Sequence, residues 1–516
     1  MMLNKIKKYT TFILLATIVL SASSCKKWLA EQDVDPSNLS PETYYTIPAH
    51  AEAAIASAYA QTRFINGGAG IFANNFSLLE MLTGTAKTET GQNTDLNNLI
   101  GLSYNGDNVF VNNWWNGAYS VIAQANLVLQ KVPGINPMDA AQKKRILGEA
   151  QFLRAWSYFY LVRLFGDVPL ITEPVDAASP QLTPARVSRD SVYSLIVSDL
   201  TSAEASGLPW MDATGRASLG AVKAELAEVY LTMAGFPLNK GAAYYKLAAD
   251  KANEVITSSG YGLFSNYFDL HNQAQENRVE HIFQIQYSAG IADNPNQGIL
   301  LPNFKAVSAY GTEIGSTVPT RSFYNSFEPG DLRAVDRQGF FYTSYYNEGS
   351  GALKDLAAPY IYKHFDVVAH GTAGVAGTAI SGLNWMNIRY AQVLLTYAEA
   401  QNEVGGPTQA AWNALNAIRT RARLTTPALG TFTQATFREA VWRERWHELC
   451  YEGITWFDML RTRKVYVDAT NSFDNFVGHK FPENGATLTE KHLLLPLPTS
   501  EMQNNPNLTP NNPGYQ

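Results

Sequence analysis

Apolar residues recur along much of this chain at the three- and four-residue spacing of a helix face. From Asn113 to Lys131, the residues Trp114, Ala118, Ile122, Ala125 and Leu129 form one stripe, which Pro133 and Gly134 end. Asp139 caps the next stripe, made of Ile146, Ala150, Leu153, Ala155, Tyr158, Leu161 and Leu164, which runs to Gly166. Ser188 is a candidate N-cap for a helix to Ala205, and an Ala-rich helix is predicted from about Pro48 to Arg63. Neighbouring helical positions point about 100° apart, so Trp114 and Trp115 could differ in exposure. Their place at the start of a helix pair favours packing for both, and the same holds for Trp385.

Two later stretches repeat one pattern. Arg216 to Gly235 is followed by Ala242 to Ile256, and Ile388 to Gly405 by Thr408 to Ala422. Each sets small residues and a Tyr on one helix against small residues on the next, across a short Gly break. Tetratricopeptide hairpins pack closely in this way, although long insertions here break any strict 34-residue period. The expected fold is mostly α, with about four degenerate tetratricopeptide-like helix pairs, a loop-rich face and a few short strands. Residues 46–516 read as a single binding domain, with a helical scaffold at 112–258 and 386–461 and a loop-rich ligand face at 64–111 and 259–385. A short extended piece is predicted at Val168 to Ile171, and His281 to Ser288 alternates as a strand does. The Pro- and Asn-rich tail from Pro496 is expected to lie extended on the body.

Composition narrows the chemistry. Of 516 residues, 46% are hydrophobic and 12% aromatic, enough for a large core, while only 16% are charged. A net charge of −6 offers no basic field for a phosphate backbone, so nucleic acid is excluded as a partner. Lys5, Lys7 and Lys8, the uncharged run Thr10 to Leu20, and Ser21 to Ser24 form a signal peptide over residues 1–24. Small residues directly before Cys25 are the bacterial lipoprotein arrangement, with Cys25 lipidated and 25–45 as anchor and tether. Ala22 stands where a lipobox has Leu, and an ordinary secretory cut near Ser24 is the alternative. Cys450, the one other cysteine, is expected to be a buried small hydrophobe.

Catalytic signatures fail on inspection. His447-Glu448 opens like a helical zinc site, but Tyr451 stands where the second His is required. No nucleophile elbow or phosphate loop appears, and neither a metal nor a cofactor is expected. Binding chemistry fits better. Sugars present apolar C–H faces ringed by hydroxyls, which suit an aromatic plate bordered by neutral polar groups. Residues 66–110 and 288–350 have that composition. The first contributes Phe72, Asn74, Asn75, Tyr104, Asn105 and Asp107 as candidates, and the second Tyr310, Tyr345 and Tyr346.

Several segments carry a family likeness. GEAQFLRAWSYFYLVRLFGDVPLI (148–171), IRYAQVLLTYAEAQNEVGG (388–406) with ALNAIRTRARL (414–424), and FREAVWRERWHELCYEGITWFDMLR (437–461) resemble the SusD/RagB family of nutrient-binding outer-membrane lipoproteins. FEPGDLR (327–333) and the end LLLPLPTSEMQNNPNLTPNNPGYQ (493–516) are similar too. The resemblance implies a SusD-like fold and a non-catalytic protein, lipid-anchored at the outer-membrane surface. It would act as a lid for a SusC-like TonB-dependent transporter and hold glycan for import. Peptide cargo on the same fold, or a surface glycan-degrading enzyme, are the alternatives. Within these motifs Arg154, Arg163 and Asp167 are expected to be scaffold residues needing partners. Arg443, Glu444, Arg445 and Glu448 are spaced for ion pairs along a helix surface.

Overall fold

The computed structural model describes residues 44–176, 179, 182–309, 311–374, 377–378 and 380–516. Cys25 and Tyr310 lie outside the described residues. The longer helices are α1 Pro48–Gln61, α2 Val109–Lys131, α3 Ala140–Phe165, α4 Arg189–Glu204, α5 Leu219–Ala234, α6 Ala242–Thr257, α7 Tyr390–Gly405, α8 Gln409–Arg421, α9 Gln434–Glu448 and α10 Thr455–Thr462. Each of α1 to α8 packs on its successor, and α7 also packs on α9. The fold is mostly helical, as expected.

Local chemistry explains where helices begin. The side chains of Asp139, Ser188, Ser218 and Thr408 each accept a backbone N–H from the first turn of α3, α4, α5 and α8. Such a cap contributes about 1 kcal/mol. At the other end of α3, Gly166 takes φ 73°, a conformation that glycine adopts without steric cost. α5 buries nearly its whole circumference, so its small residues are what let α4 and α6 approach it from two sides.

Strands are short and pair as antiparallel twos. They are β1 Ala86–Lys87 with β5 Val318–Pro319, β2 Val168–Pro169 with β3 Arg186–Val187, β4 His281–Ile285 with β8 Trp385–Arg389, β6 Phe341–Tyr346 with β7 Leu353–Ile361, and β9 Lys464–Val467 with β10 Ser472–Asn475. The region 259–385 therefore holds more regular structure than its composition suggested, chiefly the β6–β7 hairpin. The tail from Pro496 is likewise not simply extended, because Thr499–Asn504 forms a short helix.

Trp114, Trp115, Trp385 and Cys450 are all core residues. Arg154 is buried with its partner, Asp199, at 2.8 Å, and also bonds Asn126. Asp167 accepts the backbone N–H of Arg189.

The charges of α9 correct an expectation. Glu444, Arg445 and Glu448 are buried, not on a helix surface, and pair with other elements. Arg333 bonds Glu444 at 2.6 Å and Asp331 at 2.8 Å. Arg389, fully buried, contacts Glu280, Glu448 and Glu452, and Arg421 bonds Glu280 and Glu448. Arg445 and Arg461 share Asp458, each at 2.8 Å. Lys363 adds a pair to Glu452. Burial opposes ionisation of Glu452, yet Arg389 and Lys363 hold its carboxyl down at about 2. The physical reason is that a buried charge is tolerated only when paired, and here each ion has a partner and most have more than one. The lattice ties α7, α8, α9 and α10 to β8 and to the loop at 327–333.

Candidate functional site

The loop between α1 and the short helix Ser77–Met81 is built to display its tip. Phe64 packs its ring on Gly117 of α2, where any Cβ would fall 2.2 Å from that ring. The same ring meets Trp114 edge-on at 5.3 Å. From this anchor the chain folds into a narrow turn closed by Asn75 N–H to Gly67 O and Ala69 N–H to Ala73 O, each 2.8 Å. Asn93 clamps the tip, its Nδ2 donating to the carbonyls of Ala69 at 3.0 Å and Ile71 at 2.9 Å. Gly70, at φ +65°, sits where a Cβ would meet that clamping amide at 3.0 Å. With its backbone groups satisfied, the tip turns Ile71 and Phe72 outward, 55% and 47% exposed.

The second loop is fastened to the first. Asn74 Nδ2 donates to Asn296 Oδ1 at 2.5 Å, and Asn294 Nδ2 ties the second loop to the chain before β8 by donating to Leu383 O at 2.7 Å. Farther along, two carboxylates hold the segment 303–308. Glu89 accepts Asn303 N–H at 2.9 Å, and Glu313 accepts the N–H groups of Ala306, Val307 and Ser308. The β6–β7 turn joins the same segment, through Glu348 N–H to Ala306 O at 2.9 Å and Lys354 Nζ to Lys305 O at 2.6 Å. Phe304 stands out of this clamped segment at 85% exposure, with Leu353 59% exposed at the start of β7. Ile291, 88% exposed, marks the start of the same loop.

Phe72 and Phe304 share a second property. Their φ angles are +58° and +48°, the left-handed region that bulky L-residues rarely adopt. Such strain persists only where the surroundings over-determine the backbone, and it concentrates at functional sites. In both loops those surroundings are visible, as the Asn93 clamp in one and the Glu89 and Glu313 clamps in the other. What the arrangement can do is offer rigid apolar ring faces, with Lys305 as the flanking charge beside Phe304.

The expected site residues separate. Phe72 is displayed. Asn74 and Asn75 are buried structural amides; Asn75 donates to Phe64 O at 2.7 Å and accepts from Asn113. Tyr104 is a correction, being 2% exposed beneath the C-terminal segment with His492 and Tyr515 about its ring. Asn105 and Asp107 are exposed, but beside that same segment, where Gly106 O accepts Thr499 N–H at 3.0 Å. Tyr345 is also a correction, 1% exposed with its hydroxyl bonded to Gly371 O. Tyr346 is half-buried with the Arg337 guanidinium 5.0 Å from its ring. Sequence reasoning missed Phe304, whose one signal was an apolar residue outside any periodic pattern, between Asn303 and Lys305.

Elsewhere, His447 is buried, its Nε2 2.9 Å from Ser326 Oγ. Burial first, then Arg333, Arg443 and Arg419, keep it neutral. Among the described residues no three His, Cys, Asp or Glu side chains are placed to hold a metal ion. No helix among them is long and apolar enough to cross a membrane. A groove of about 540 Å3 is lined by Trp115 and Tyr119 of α2, by Pro169 and Pro184, and by Glu501 of the C-terminal helix.

Two family models match the chain. The model of the SusD family matches residues 337–515, and one described as starch-binding, associating with outer membrane, matches residues 27–231. A SusD superfamily protein from Parabacteroides distasonis, solved as a crystal structure, is 40% identical, with a TM-score of 0.85 over 93% of this chain and 100% of its own. SusD-like protein P2 of Formosa agariphila is 29% identical over 99% of this chain and 100% of its own length. The starch-binding protein SusD of Bacteroides thetaiotaomicron is 23% identical over 87% of each chain.

Proposed function

We propose, from the premise that this chain belongs to the SusD/RagB family, that it captures glycan on its loop face and leaves it chemically unchanged. The observation that carries this reading is the display of Phe72 and Phe304 on clamped, left-handed backbone. A ring held rigid in advance loses little entropy on docking, and stacking it on a sugar's C–H face buries apolar area. The starch-binding description of the matched family model and of the Bacteroides relative supports a glycan as cargo. Tyr346 borders the same segment, and Tyr310 stays in the proposed ligand set on composition alone. Asn105 and Asp107 would serve only a ligand long enough to reach the C-terminal segment.

The finer reading completes the picture. Cys25 carries the lipid that anchors the chain at the outer-membrane surface, and a SusC-like TonB-dependent transporter receives the glycan. Peptide cargo is the competing reading of the same face.

Calorimetry against starch, laminarin and a peptide digest tests the cargo. Phe304→Ala and Phe72→Ala are each expected to weaken glycan binding about 5- to 30-fold, or about 1–2 kcal/mol. Equal affinity in both variants would sink the site assignment, and saturable binding of peptides alone would sink the glycan. Release of shortened products from a bound glycan would refute the non-catalytic reading. Incorporation of labelled fatty acid, lost in Cys25→Ala, checks the anchor, and co-purification with the barrel checks the transporter.

A further inference from the structure

Far from the clamped loops in sequence, α3, α4, α5, α10 and the segment 490–494 enclose a cavity of about 250 Å3. Its wall carries Arg163, Arg189, Arg461, Arg463 and Lys491 against a single carboxylate, Glu490. Two of these cations are already spent. Arg461 bonds Glu399 and Asp458, and Arg189 lies 3.4 Å from Asp167.

Arg163 is not spent. Its guanidinium lies 3.5 Å from the ring centre of Phe159 and 3.7 Å from that of Phe457. Nε donates to Phe159 O at 2.9 Å, and neither terminal nitrogen has an acceptor among the described residues. Glu225 and Glu228 act on it only through space, beyond ion-pair distance. Arg463 has no side-chain acceptor among the described residues either, and rests 5.2 Å from the half-exposed ring of Phe236. Burial, then Arg189 beside it, pulls its pKa down to about 10. Its φ of +57° holds it in the left-handed region that glycine favours.

Helix dipoles account for part of this. Arg163 lies in the last turn of α3 and Arg463 just past α10, where a cation gains about 0.3–1 kcal/mol. That gain does not explain why two partly buried guanidiniums face one cavity with no carboxylate at ion-pair distance from either among the described residues, a local excess of positive charge that an anion would offset. A guanidinium fixed between two rings presents its N–H edge as a fork, the geometry that suits a carboxylate or sulfate. The volume lies below the roughly 300–1,000 Å3 of pockets for larger ligands, so a polymer segment does not fit.

We propose that this cavity binds an oxyanion, the carboxylate or sulfate of a compact organic acid no larger than one acidic sugar ring. Arg163 and Arg463 donate to the anion, and Phe236 and Phe457 wall its body. The inference stands apart from the glycan reading, because the two sites share no residue.

Calorimetry on the full chain at constant ionic strength tests it, with sodium glucuronate, sodium sulfate and uncharged glucose as probes. Saturable binding of glucuronate but not glucose is expected, weakened at least tenfold in Arg163→Met and in Arg463→Gly. The glycine variant suits the left-handed backbone, so its melting temperature is expected to hold while its affinity falls. Displacement of glucuronate by sulfate supports the bare oxyanion as the recognised group. Binding that sulfate cannot displace, yet lost in both variants, supports the sugar-borne carboxylate. Glucuronate behaving like glucose, or binding unchanged in Arg463→Gly, overturns the proposal.

Discussion

At the centre of the molecule Arg389 is fully buried among three carboxylates, while at the loop face Phe304 stands 85% exposed. The usual placement of charge outside and rings inside is reversed at both places, for opposite reasons. In the lattice most ions bridge several elements, and losing one leaves the others uncompensated. The loop face gains nothing for stability from its rings. It uses buried Asn93 and Glu313, with exposed Glu89, to hold those rings out. The contrast teaches that polar groups here position structure, and that in the loop face they leave apolar rings turned to solvent.

Mutations that separate stability from affinity test that division. The largest effect is expected from Arg389→Met, a loss of about 3–5 kcal/mol of unfolding free energy by urea titration, since Glu280, Glu448 and Glu452 lose a shared partner. Acid titration should come next. Glu452 has its folded pKa depressed to about 2, so its contribution is complete above the unfolded value of about 4.5. It is lost as pH falls towards 2, an effect of a few kcal/mol at most. Glu452→Gln should flatten that acid limb of the melting temperature, and an unchanged limb would mean that other carboxylates set it.

Asn93→Ala probes the join between the two behaviours. Two carbonyls and the N–H of Leu96 lose a partner, so about 1–3 kcal/mol of stability and some glycan affinity should go together. Phe304→Ala is expected to change stability by less than about 0.5 kcal/mol while lowering affinity. A substantial drop in its melting temperature would show that the ring packs, and the comparison would break.

Features read from neighbouring residues were legible. Asp139 and Ser188 cap where the sequence places them, because a cap depends on three or four residues in sequence. Trp114 and Trp115 were placed inside by their position at the start of a helix pair. Partners from afar were not legible. The i, i+4 spacing of Arg445 and its neighbours suggested surface pairs, yet Glu444 bonds Arg333 from 111 residues away. The Asn-rich loop around Tyr104 suggests an exposed plate, but the returning C-terminal segment covers it. The β6–β7 hairpin is not legible because Phe341–Tyr346 pairs apolar and polar residues in twos instead of alternating, and its register shifts between Tyr342 and Ser344.

Sequence alone determined the family and the helical frame, since motif and period are properties of adjacent residues. Which ring faces solvent was decided only by the tertiary structure. Exposure depends on what another part of the chain leaves uncovered, and a left-handed phenylalanine is tolerated only after distant side chains have clamped its backbone.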